Sequence, residues 1–554
     1  MHLPDPVAPI APENEMRPLA ELLETLARID GWGPRAWREV LGAWRMPSCD
    51  LGIEEREGPP CEEGGEVVCT IRWNAPRWIG STSLSHRAAA DWLLRRARSE
   101  LIPDLGLDAW TLDPGEWVRA TNASFVITGD LFLRFSLRLP FAGMCIDGER
   151  FARAIGRIGR FTRATAAAQP GLAAHRRSLA VQGALRDALP AHGLVAFVAA
   201  GSLLARDPAG GVDPSCRPLR VPKQLTVTIN LGRLGRHRGL GIRSGVTAIA
   251  GAPYHGKSTL LAAIAGGGED RPPADGRERV VSIASLMPVL ADDGRPITAQ
   301  DMTPFFPRLP GGMARSFTTR RASGSTSMAA AVLQSIAAGV RLLLVDEDTA
   351  AANFLSLQPA MLRLLGRDLH GARTLAEVLP DLSRQGISTI VVAGASTAAI
   401  ASADRTVLMR DFAPQDATAA ARRACGRQRR AASIRLPARR LAGDPDAILG
   451  HGHALRIDAD DPERPSTPTF RVDLRRSGMQ LDAWLARGAV LGAAWCTRLA
   501  DGGCPMDELG QRYVAWLAER GPVALDPFHD GFHAVAPWPL VAAVLERIPG
   551  VGME

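Results

Sequence analysis

The sequence predicts an α/β fold, and three segments near the middle of the chain carry that prediction. In the first, the apolar run Gly245–Ala250 is followed by a Gly-containing loop, Gly251–Thr259, and by the Ala-rich stretch Leu260–Ala265, an order typical of strand, loop and helix. In the second, Leu342–Glu347, four apolar residues end in Asp-Glu and predict a buried strand. In the third, the hydroxyl-rich turn at residues 322–327 opens an apolar helix that leads into that strand.

The loop Gly251–Thr259, here called the phosphate loop, fits the pattern G-x-x-x-x-G-K-[ST]. In such a loop, backbone N–H groups converge on a phosphate and the following helix adds its positive N-terminal dipole. Lys257, one of only two lysines in an Arg-rich chain, is predicted to reach the β- and γ-phosphates, and Ser258 to bind Mg²⁺ through its hydroxyl. The loop residues predicted to contact the nucleotide are Gly251, Tyr254, His255, Gly256, Lys257, Ser258 and Thr259. For His255, a polar loop residue without a ligand role is an equal alternative.

Two adjacent carboxylates end the predicted strand Leu342–Glu347, here called the acidic strand. Carboxylates at the carboxyl end of a strand in an open α/β sheet face a common crevice. Asp346 is predicted to hold Mg²⁺, usually through water. Glu347 is predicted to be catalytic by polarising the water that attacks the γ-phosphate, and Lys257 by its contact with the β- and γ-phosphates. The alternative is an ordinary buried strand that runs into an acidic loop.

The turn at residues 322–327, here called the signature turn, reads A-S-G-S-T-S. Ser323 is a natural N-cap, and the exposed N–H groups of a helix start bind anions. Ser323, Gly324 and Ser325 are therefore predicted to contact nucleotide phosphate. The alternative is a plain capped helix.

Together these segments resemble a known family, the predicted ATPases of the ABC class. The similarity covers most of the chain, with high specificity only from Gly239 to Phe354. The matching segments are residues 239–242, 254–259, 291–295, 322–327, 346–349, 353–354 and 386–390, with weaker similarity at 86–96, 134–140, 194–198 and 472–474.

The resemblance implies an α/β chain with a P-loop NTPase core of ABC type at residues 181–425. An α/β N-terminal domain would occupy residues 1–180, and a mixed α/β C-terminal domain residues 426–554. ATP and Mg²⁺ are the implied cofactors, and ATP hydrolysis the implied activity. The resemblance also implies a nucleotide-dependent homodimer, in which Ser323 and Gly324 of one chain complete the ATP site of the other.

Residues 291–295 match the family, whereas two other places in the chain depart from the usual pattern, which affects the expected turnover more than nucleotide binding. Residues 292–295 (D-D-G-R), here called the switch segment, stand where ABC proteins keep a Gln-bearing loop, and Asp293 is the carboxylate expected to contact nucleotide and metal. The strand at residues 389–393 runs into Gly394–Thr397 without the His that usually ends this strand in ABC transporters and their soluble relatives, and without the Gly-rich turn and acidic-aromatic pair that the family tends to have there. Ser396 or Thr397 is expected to hydrogen-bond the γ-phosphate instead. Pro253 removes one N–H donor from the phosphate loop.

The net charge of +7 and a cluster of arginines at Arg422–Arg440 raise a second hypothesis. The protein would then be a nucleotide-gated RNA- or DNA-binding module, RNA more than DNA, with little or no intrinsic hydrolysis. A solvated linker rich in arginine is the alternative for the cluster. A small-molecule kinase is disfavoured, because the signature turn has no role in a monomeric kinase.

Location and cysteine usage point to the cytoplasm. The N-terminus lacks a basic-then-apolar secretory pattern, and no apolar run approaches the ~18 residues of a membrane span. The eight cysteines form no C-x-x-C pair, so reduced thiols are expected. A metal site at His529 and His533 is disfavoured by the nearby Pro527 and Gly531.

The flanking elements are predicted from periodicity and turn residues. They are a helix from residue 14 broken at 31–34 before a second helix that ends near 45, a helix around 91–98, strands at 66–73 and 124–139, a loop at 203–218, a strand at 225–229, and two strands at 455–475 followed by helices.

Overall fold

A computed structural model describes residue 10 and residues 15–55, 66–309, 313–366, 371–427, 432–442, 456–500, 503–526, 531–548 and 551–553. The chain forms two compact units. The first comprises residues 1–179 and 516–535, and the second residues 180–515 and 536–554. Helices and sheets together build the chain, so the predicted α/β class is confirmed. The domain boundaries after residues 180 and 425 stay a prediction.

The first unit is built on a six-stranded sheet with the strand order β1-β2-β3-β4-β6-β5, antiparallel except for the β1–β2 pair. Its strands, with the separate β7–β8 hairpin, are β1 (Arg17–Pro18), β2 (Gly42–Arg45), β3 (Asp50–Glu55), β4 (Glu66–Trp73), β5 (Ser124–Ile127), β6 (Asp130–Arg138), β7 (Phe141–Ala142) and β8 (Cys145–Ile146). Its helices are α1 (Leu19–Arg28), α2 (Ser83–Leu105) and α3 (Gly148–Ala167). Helix α4 (Leu172–Ala188) contains the passage to the second unit.

The predictions for this unit are partly confirmed. The strand at 66–73 is β4, and the run at 124–139 forms two strands joined by a two-residue turn with positive φ at Thr128 and Gly129. The second helix of the predicted 14–45 pair is wrong. Ala36–Val40 is a short 3₁₀ turn and Gly42–Arg45 is strand β2. Pairing with β3 buries Trp44, so tertiary packing overrides the local helical pattern.

The second unit contains a four-stranded antiparallel sheet with the order β10-β11-β9-β13 and a six-stranded sheet with the order β14-β17-β18-β12-β19-β20. In the larger sheet every pair is parallel except β19–β20. The strands of the unit are β9 (Leu194–Ala199), β10 (Thr226–Asn230), β11 (Arg236–Arg243), β12 (Val246–Ala250), β13 (Val280–Ser282), β14 (Leu286–Pro288), β15 (Ile297–Gln300), β16 (Phe317–Thr319), β17 (Leu342–Asp346), β18 (Ser388–Ala393), β19 (Arg405–Arg410), β20 (Ala413–Asp416), β21 (Arg440–Ala442), β22 (Cys504–Pro505) and β23 (Gly552–Met553).

Helices cover the parallel sheet on both faces. The helices in this part of the chain are α5 (Lys257–Gly266), α6 (Gly324–Ala337), α7 (Ala352–Leu355), α8 (Pro359–Leu365), α9 (Leu375–Arg384), α10 (Thr397–Ser402) and α11 (Thr418–Cys425), followed by α12 (Ala483–Leu499), α13 (Met506–Arg520) and α14 (Trp538–Leu545). Side chains alternate along a strand. Leu342 and Leu344 of β17 therefore pack in the cluster that includes α5, and Leu343 and Val345 in the cluster that includes α6.

The predicted elements around the phosphate loop are confirmed, but those of one later segment are not. The strands expected at 455–475 are wrong: residues 456–475 contain only single bridges, Asp458 with Ser466 and Ser466 with Arg471. Polar and turn-forming residues dominate this stretch, and they favour loops over a continuous ladder. The helices predicted to follow are present as α12, α13 and α14. No helix in the described part of the chain is long and apolar enough to cross a membrane.

Candidate nucleotide site

The phosphate loop joins β12 to α5, as predicted, and its shape depends on unusual backbone angles. Gly251 has a φ of 147° and Gly256 a φ of 87°, both in the region that favours glycine. A Cβ atom at Gly251 would lie 2.5 Å from the Met409 carbonyl oxygen of the neighbouring strand β19. Tyr254 adopts a φ of 64° and is 95% exposed. The strand therefore turns sharply into the helix.

Polar contacts close the loop. The Lys257 ammonium donates to the Ala252 carbonyl oxygen at 2.9 Å, so it lies across the loop. Ser258, in the first turn of α5, is exposed, and Thr259 is half-buried. The His255 Nδ1 accepts a hydrogen bond from the Asp411 backbone N–H at 2.7 Å. That bond ties the phosphate loop to the turn between β19 and β20.

The turn at Asp411 and Phe412 is a part of the site that the sequence reasoning missed. Both residues have positive φ, 49° and 63°, and a Cβ at Gly256 would lie 3.1 Å from the Phe412 ring. Phe412 is 55% exposed beside the loop. The sequence signal was a two-residue break between the apolar run of β19 and the next strand, which is the length of a tight hairpin.

The acidic strand is β17, and it brings Asp346 and Glu347 to the carboxyl edge of the sheet. Asp346 is half-buried, and its Oδ1 accepts the Asp348 N–H at 3.2 Å. Strand β18 lies between β17 and β12, so the carboxyl ends of three neighbouring parallel strands carry the acidic pair, the turn after β18 and the phosphate loop. Such an edge is where ligands bind in open α/β sheets.

The Glu347 carboxylate is held by backbone donors at the turn after β18. Its Oε2 accepts the N–H groups of Gly394, Ala395 and Ser396 at 2.6, 2.9 and 3.3 Å. Successive N–H groups that converge in this way form an anion-binding nest. Within the described residues, Oε1 accepts no hydrogen bond. The nest lies where ABC transporters usually have a His. Because it consists of backbone groups, no side-chain pattern in the sequence predicts it.

Ser396 is buried, and its hydroxyl already has two partners. It accepts the Ala399 N–H at 3.2 Å as the N-cap of α10 and lies 2.8 Å from the Ser356 hydroxyl. The predicted contact of Ser396 with phosphate stays a prediction, and it requires Ser356 to be the donor in the pair, which leaves the Ser396 O–H free to donate to phosphate.

The signature turn caps α6, as its sequence predicts. The Ser323 hydroxyl accepts the Thr326 N–H at 3.4 Å, and Ser323 is exposed. Gly324 lies against Ala291 and Ala351, which follow β14 and β17 respectively. The Ser325 hydroxyl donates to Asn353 at 2.6 Å. The start of α6 is therefore fixed beside the loops at the carboxyl edge of the sheet.

The switch segment divides its two carboxylates. Asp293 is exposed, whereas Asp292 is buried and accepts a hydrogen bond from Arg547 at 3.0 Å. Among the described residues, no group of three or more His, Cys, Asp or Glu side chains lies close enough to hold a metal ion. Ser258 and Asp346 supply a hydroxyl and a carboxylate, the donor set that Mg²⁺ takes when substrate phosphates complete its shell.

The arginine cluster is not a uniform basic surface. Arg439 is buried and bonded to Glu546, Arg440 donates to the Gly503 carbonyl oxygen, and Arg422 donates to the Asp404 carbonyl oxygen. The exposed members without such bonds among the described residues are Arg423, Arg427 and Arg435. Arg429 and Arg430 lie outside the described residues, as do His451, His453 and His529. His533 is buried, with its Nε2 2.9 Å from the Pro522 carbonyl oxygen.

Residues 168–439 match the model of the P-loop domain of the ABC_ATPase family. This part of the chain is therefore an ABC-type P-loop domain, as the resemblance of its motifs implied. An uncharacterized protein of Methanocaldococcus jannaschii, MJ1628, is 32% identical over 242 residues, which are 41% of this chain and 52% of that protein. The chain thus spans about half the length of this curated relative.

Two solved structures similar to this chain come from ABC transporters. CbiO1 from Clostridium perfringens, part of the ABC transporter complex CbiONQ, is 16% identical, with a TM-score of 0.24 over 40% of this chain and 87% of that one. MJ1267, an ATP-binding cassette of an ABC transporter in its ADP conformation, is 11% identical, with a TM-score of 0.23 over 34% of this chain and 89% of that one.

Proposed function

We propose that the protein binds Mg-ATP at the phosphate loop and hydrolyses it. The observation that carries the proposal is the Glu347 carboxylate, held by three backbone N–H groups at the edge of the sheet that also carries the phosphate loop. A fixed carboxylate next to a phosphate cradle is the arrangement that hydrolysis of a nucleotide requires.

The phosphate loop supplies the binding. Backbone N–H groups of Gly251–Thr259 and the start of α5 surround the β-phosphate, and Lys257 leaves the Ala252 carbonyl oxygen to meet the β- and γ-phosphates. Ser258 and Asp346 hold Mg²⁺, which neutralises charge on the phosphates and orients them. Tyr254, His255, Gly256 and Thr259 complete the wall of the loop.

Glu347 supplies the water-directing group. Because its Oε2 is bound in the nest, the carboxylate is fixed, and its Oε1, which accepts no hydrogen bond from the described residues, is the atom to which a water would donate. The nest thus takes over the positioning that a switch His performs elsewhere. Catalysis is then mostly electrostatic and positional, with the attacking water in line with the γ-phosphate.

The site is composite in this proposal. Ser323, Gly324 and Ser325 are exposed or half-buried at the start of α6, and in this proposal they meet the γ-phosphate held by a second chain. Two chains then close head to tail around two ATP molecules, a two-fold arrangement in which each chain gives the same patches.

Substitution of Glu347 by Gln tests the hydrolysis step. The amide keeps the shape of the carboxylate but loses the charge that polarises water, so we expect turnover to fall by about a hundredfold or more while ATP binding persists. A dimer trapped with ATP is the second expected result, measured by light scattering after gel filtration. Glu463→Gln, an exposed carboxylate of the same unit, is the matched control. A Glu347→Gln variant that stays monomeric at saturating ATP contradicts the composite site.

A second candidate function is nucleotide-gated RNA binding, favoured by exposed arginines in both units. Helix α3 carries five of them on one side, Arg150, Arg153, Arg157, Arg160 and Arg163, and among the described residues only Arg153 has a carboxylate nearby, Glu149 at 3.5 Å. The second unit adds Arg423, Arg427 and Arg435. Rows of unpaired cations neutralise phosphates in a manner that depends on salt.

Fluorescence anisotropy of a labelled single-stranded RNA, with DNA as the comparison, tests this candidate. We expect affinity to fall steeply with salt, to depend on ATP, and to weaken in Arg157→Glu/Arg160→Glu or in Arg423→Glu/Arg427→Glu. Equal binding with and without ATP, or no binding at low salt, counts against it.

A further inference from the structure

The C-terminal segment of the second unit, residues 536–548, is hydrogen-bonded to the C-terminal end of helix α6. The Trp538 indole N–H donates to the Ala338 carbonyl oxygen at 2.8 Å, where α6 ends. One turn earlier, the Gln334 amide donates to Glu546 at 2.8 Å. The helix that begins with the signature turn is therefore held by residues that come 200 and 212 positions later in the chain.

Glu546 belongs to a buried ion pair. Arg439 donates to its two carboxylate oxygens at 3.0 and 2.7 Å, and the side chains of this pair are 2% and 3% exposed. Arg439 also donates to the carbonyl oxygens of Thr298 and Ala299, in strand β15. The pair thus connects the C-terminal segment to the strand that follows the switch segment.

Arg547 binds the switch segment directly. It donates to the Asp292 carboxylate at 3.0 Å, with both side chains mostly buried. Arg295, at the other end of the segment, is buried and donates to the Ser327 carbonyl oxygen and to Gln334, at 3.1 and 2.8 Å. Burial and the neighbouring Arg547 lower the pKa of Arg295 to about 9, so it keeps its charge at neutral pH. These residues form one buried group with three cations (Arg295, Arg439 and Arg547) and two carboxylates (Asp292 and Glu546). Each carboxylate is needed to offset buried positive charge.

The switch segment and the signature turn are also joined by short backbone contacts. The Gly294 N–H donates to the Ala322 carbonyl oxygen at 2.7 Å, and the Ala322 N–H donates to the Arg295 carbonyl oxygen at 2.9 Å. The Asp292 N–H donates to the Ser327 hydroxyl at 3.0 Å. A group that holds Asp292 therefore also fixes the start of α6.

We propose that Arg547 is a positioning residue of the nucleotide site. Glu546, which binds Arg439 and Gln334, belongs to the same positioning group. Arg547 keeps Asp292 in an ion pair and so prevents Asp292 from contacting the nucleotide. Asp293 is then the carboxylate of the switch segment that meets the nucleotide and its metal. Arg547 also holds the switch segment and the signature turn as one piece. This inference rests on the proposed ATP hydrolysis at the same site.

Arg547→Met tests the proposal, because Met keeps the bulk of the side chain and leaves Asp292 buried without its cation. We expect hydrogen–deuterium exchange to rise at residues 291–295 and 322–328 without nucleotide present. We also expect kcat to fall by about tenfold, the scale for lost outer-shell partners, with KM for Mg-ATP changed less than about twofold. Arg233→Met, an exposed arginine of the same unit between strands β10 and β11, is the matched control for both measurements.

Rescue separates positioning from a general loss of stability. The double variant Asp292→Asn/Arg547→Met removes the unpaired buried charge of Asp292. We expect it to reverse at least half of the decrease in log kcat and to return hydrogen–deuterium exchange toward the wild-type level. Arg547→Lys, which keeps a cation at the site, serves the same comparison if the Met variant does not fold.

The outcomes are distinct. Unchanged exchange in Arg547→Met overturns the proposal whatever the turnover. Raised exchange with wild-type kcat overturns the link to the nucleotide site. If the wild-type chain binds ATP but shows no turnover, the proposed hydrolysis fails. In that case, raised hydrogen–deuterium exchange and weakened binding of a fluorescent ATP analogue in Arg547→Met support the positioning role. Binding by Arg547→Met that equals wild-type binding overturns it.

Discussion

Single residues of the phosphate loop work through backbone shape as much as through side-chain chemistry. Gly251 turns the chain out of β12 with a φ of 147°, and the Met409 carbonyl oxygen leaves no room for a Cβ. Tyr254 adopts the left-handed region without being glycine, which is uncommon and costs conformational energy. The loop is thus held in a cradle-like shape before any ligand contributes to it.

Gly251→Ala is expected to destabilise the second unit by about 2 kcal/mol, through backbone strain and the clash with Met409, and to abolish nucleotide binding. Thermal unfolding and titration with a fluorescent ATP analogue measure the two effects. Gly183→Ala in α4 is the control: a Cβ there meets no atom within 4 Å, and the substitution is expected to stabilise by roughly 0.5–1 kcal/mol. A Gly251→Ala chain that binds ATP as the wild type does contradicts the role of this backbone turn.

Helix α6 shows how one element can serve both the fold and the site. Its N-cap Ser323 satisfies the first turn, and its apolar residues pack under the parallel sheet. Helix α9 has a similar N-cap, Thr374, in a capping box with Glu377. The two helices therefore offer a comparison between capping alone and capping combined with phosphate contact.

Ser323→Ala and Thr374→Ala are each expected to cost about 1 kcal/mol of stability, the usual value of a lost N-cap. Only Ser323→Ala is expected to lower ATP turnover, by about tenfold, because only Ser323 meets the γ-phosphate of the second chain in the proposal. Denaturant unfolding and steady-state kinetics measure these effects. Equal loss of turnover in the two variants would show that Ser323 acts through stability alone.

How much the sequence predicts depends on how local the cause is. The phosphate loop, the acidic strand and the capped signature turn each lie within a dozen residues, so spacing and residue type were enough. The segment at Gly42–Arg45 was mispredicted because pairing with β3 decides its structure. The Asp292–Arg547 pair was invisible because its residues are 255 positions apart. The nest around Glu347 consists of backbone groups, which no side-chain pattern reveals.

At the scale of the whole molecule, the proposed enzyme is an assembly of two chains. The P-loop domain of residues 168–439 carries both halves of the site, the phosphate loop and the signature turn, and each half is proposed to work with the opposite half of a partner. The buried ion pair of Glu546 and Arg439 connects the C-terminal segment to helix α6. We therefore expect the second unit to move as one rigid body when two chains close around ATP.

Complementation between two inactive variants tests the composite site most directly. Lys257→Ala removes the phosphate-loop cation. Ser323→Asp keeps an N-cap but places a negative charge where the γ-phosphate is expected. In an equimolar mixture, half of the dimers pair the two variants, and each of these has one intact site. We expect each variant alone to be inactive and the mixture to recover roughly a quarter of wild-type turnover per chain. A mixture as inactive as its components would contradict the shared site, and activity of Ser323→Asp alone would show that the phosphate loop works without a partner.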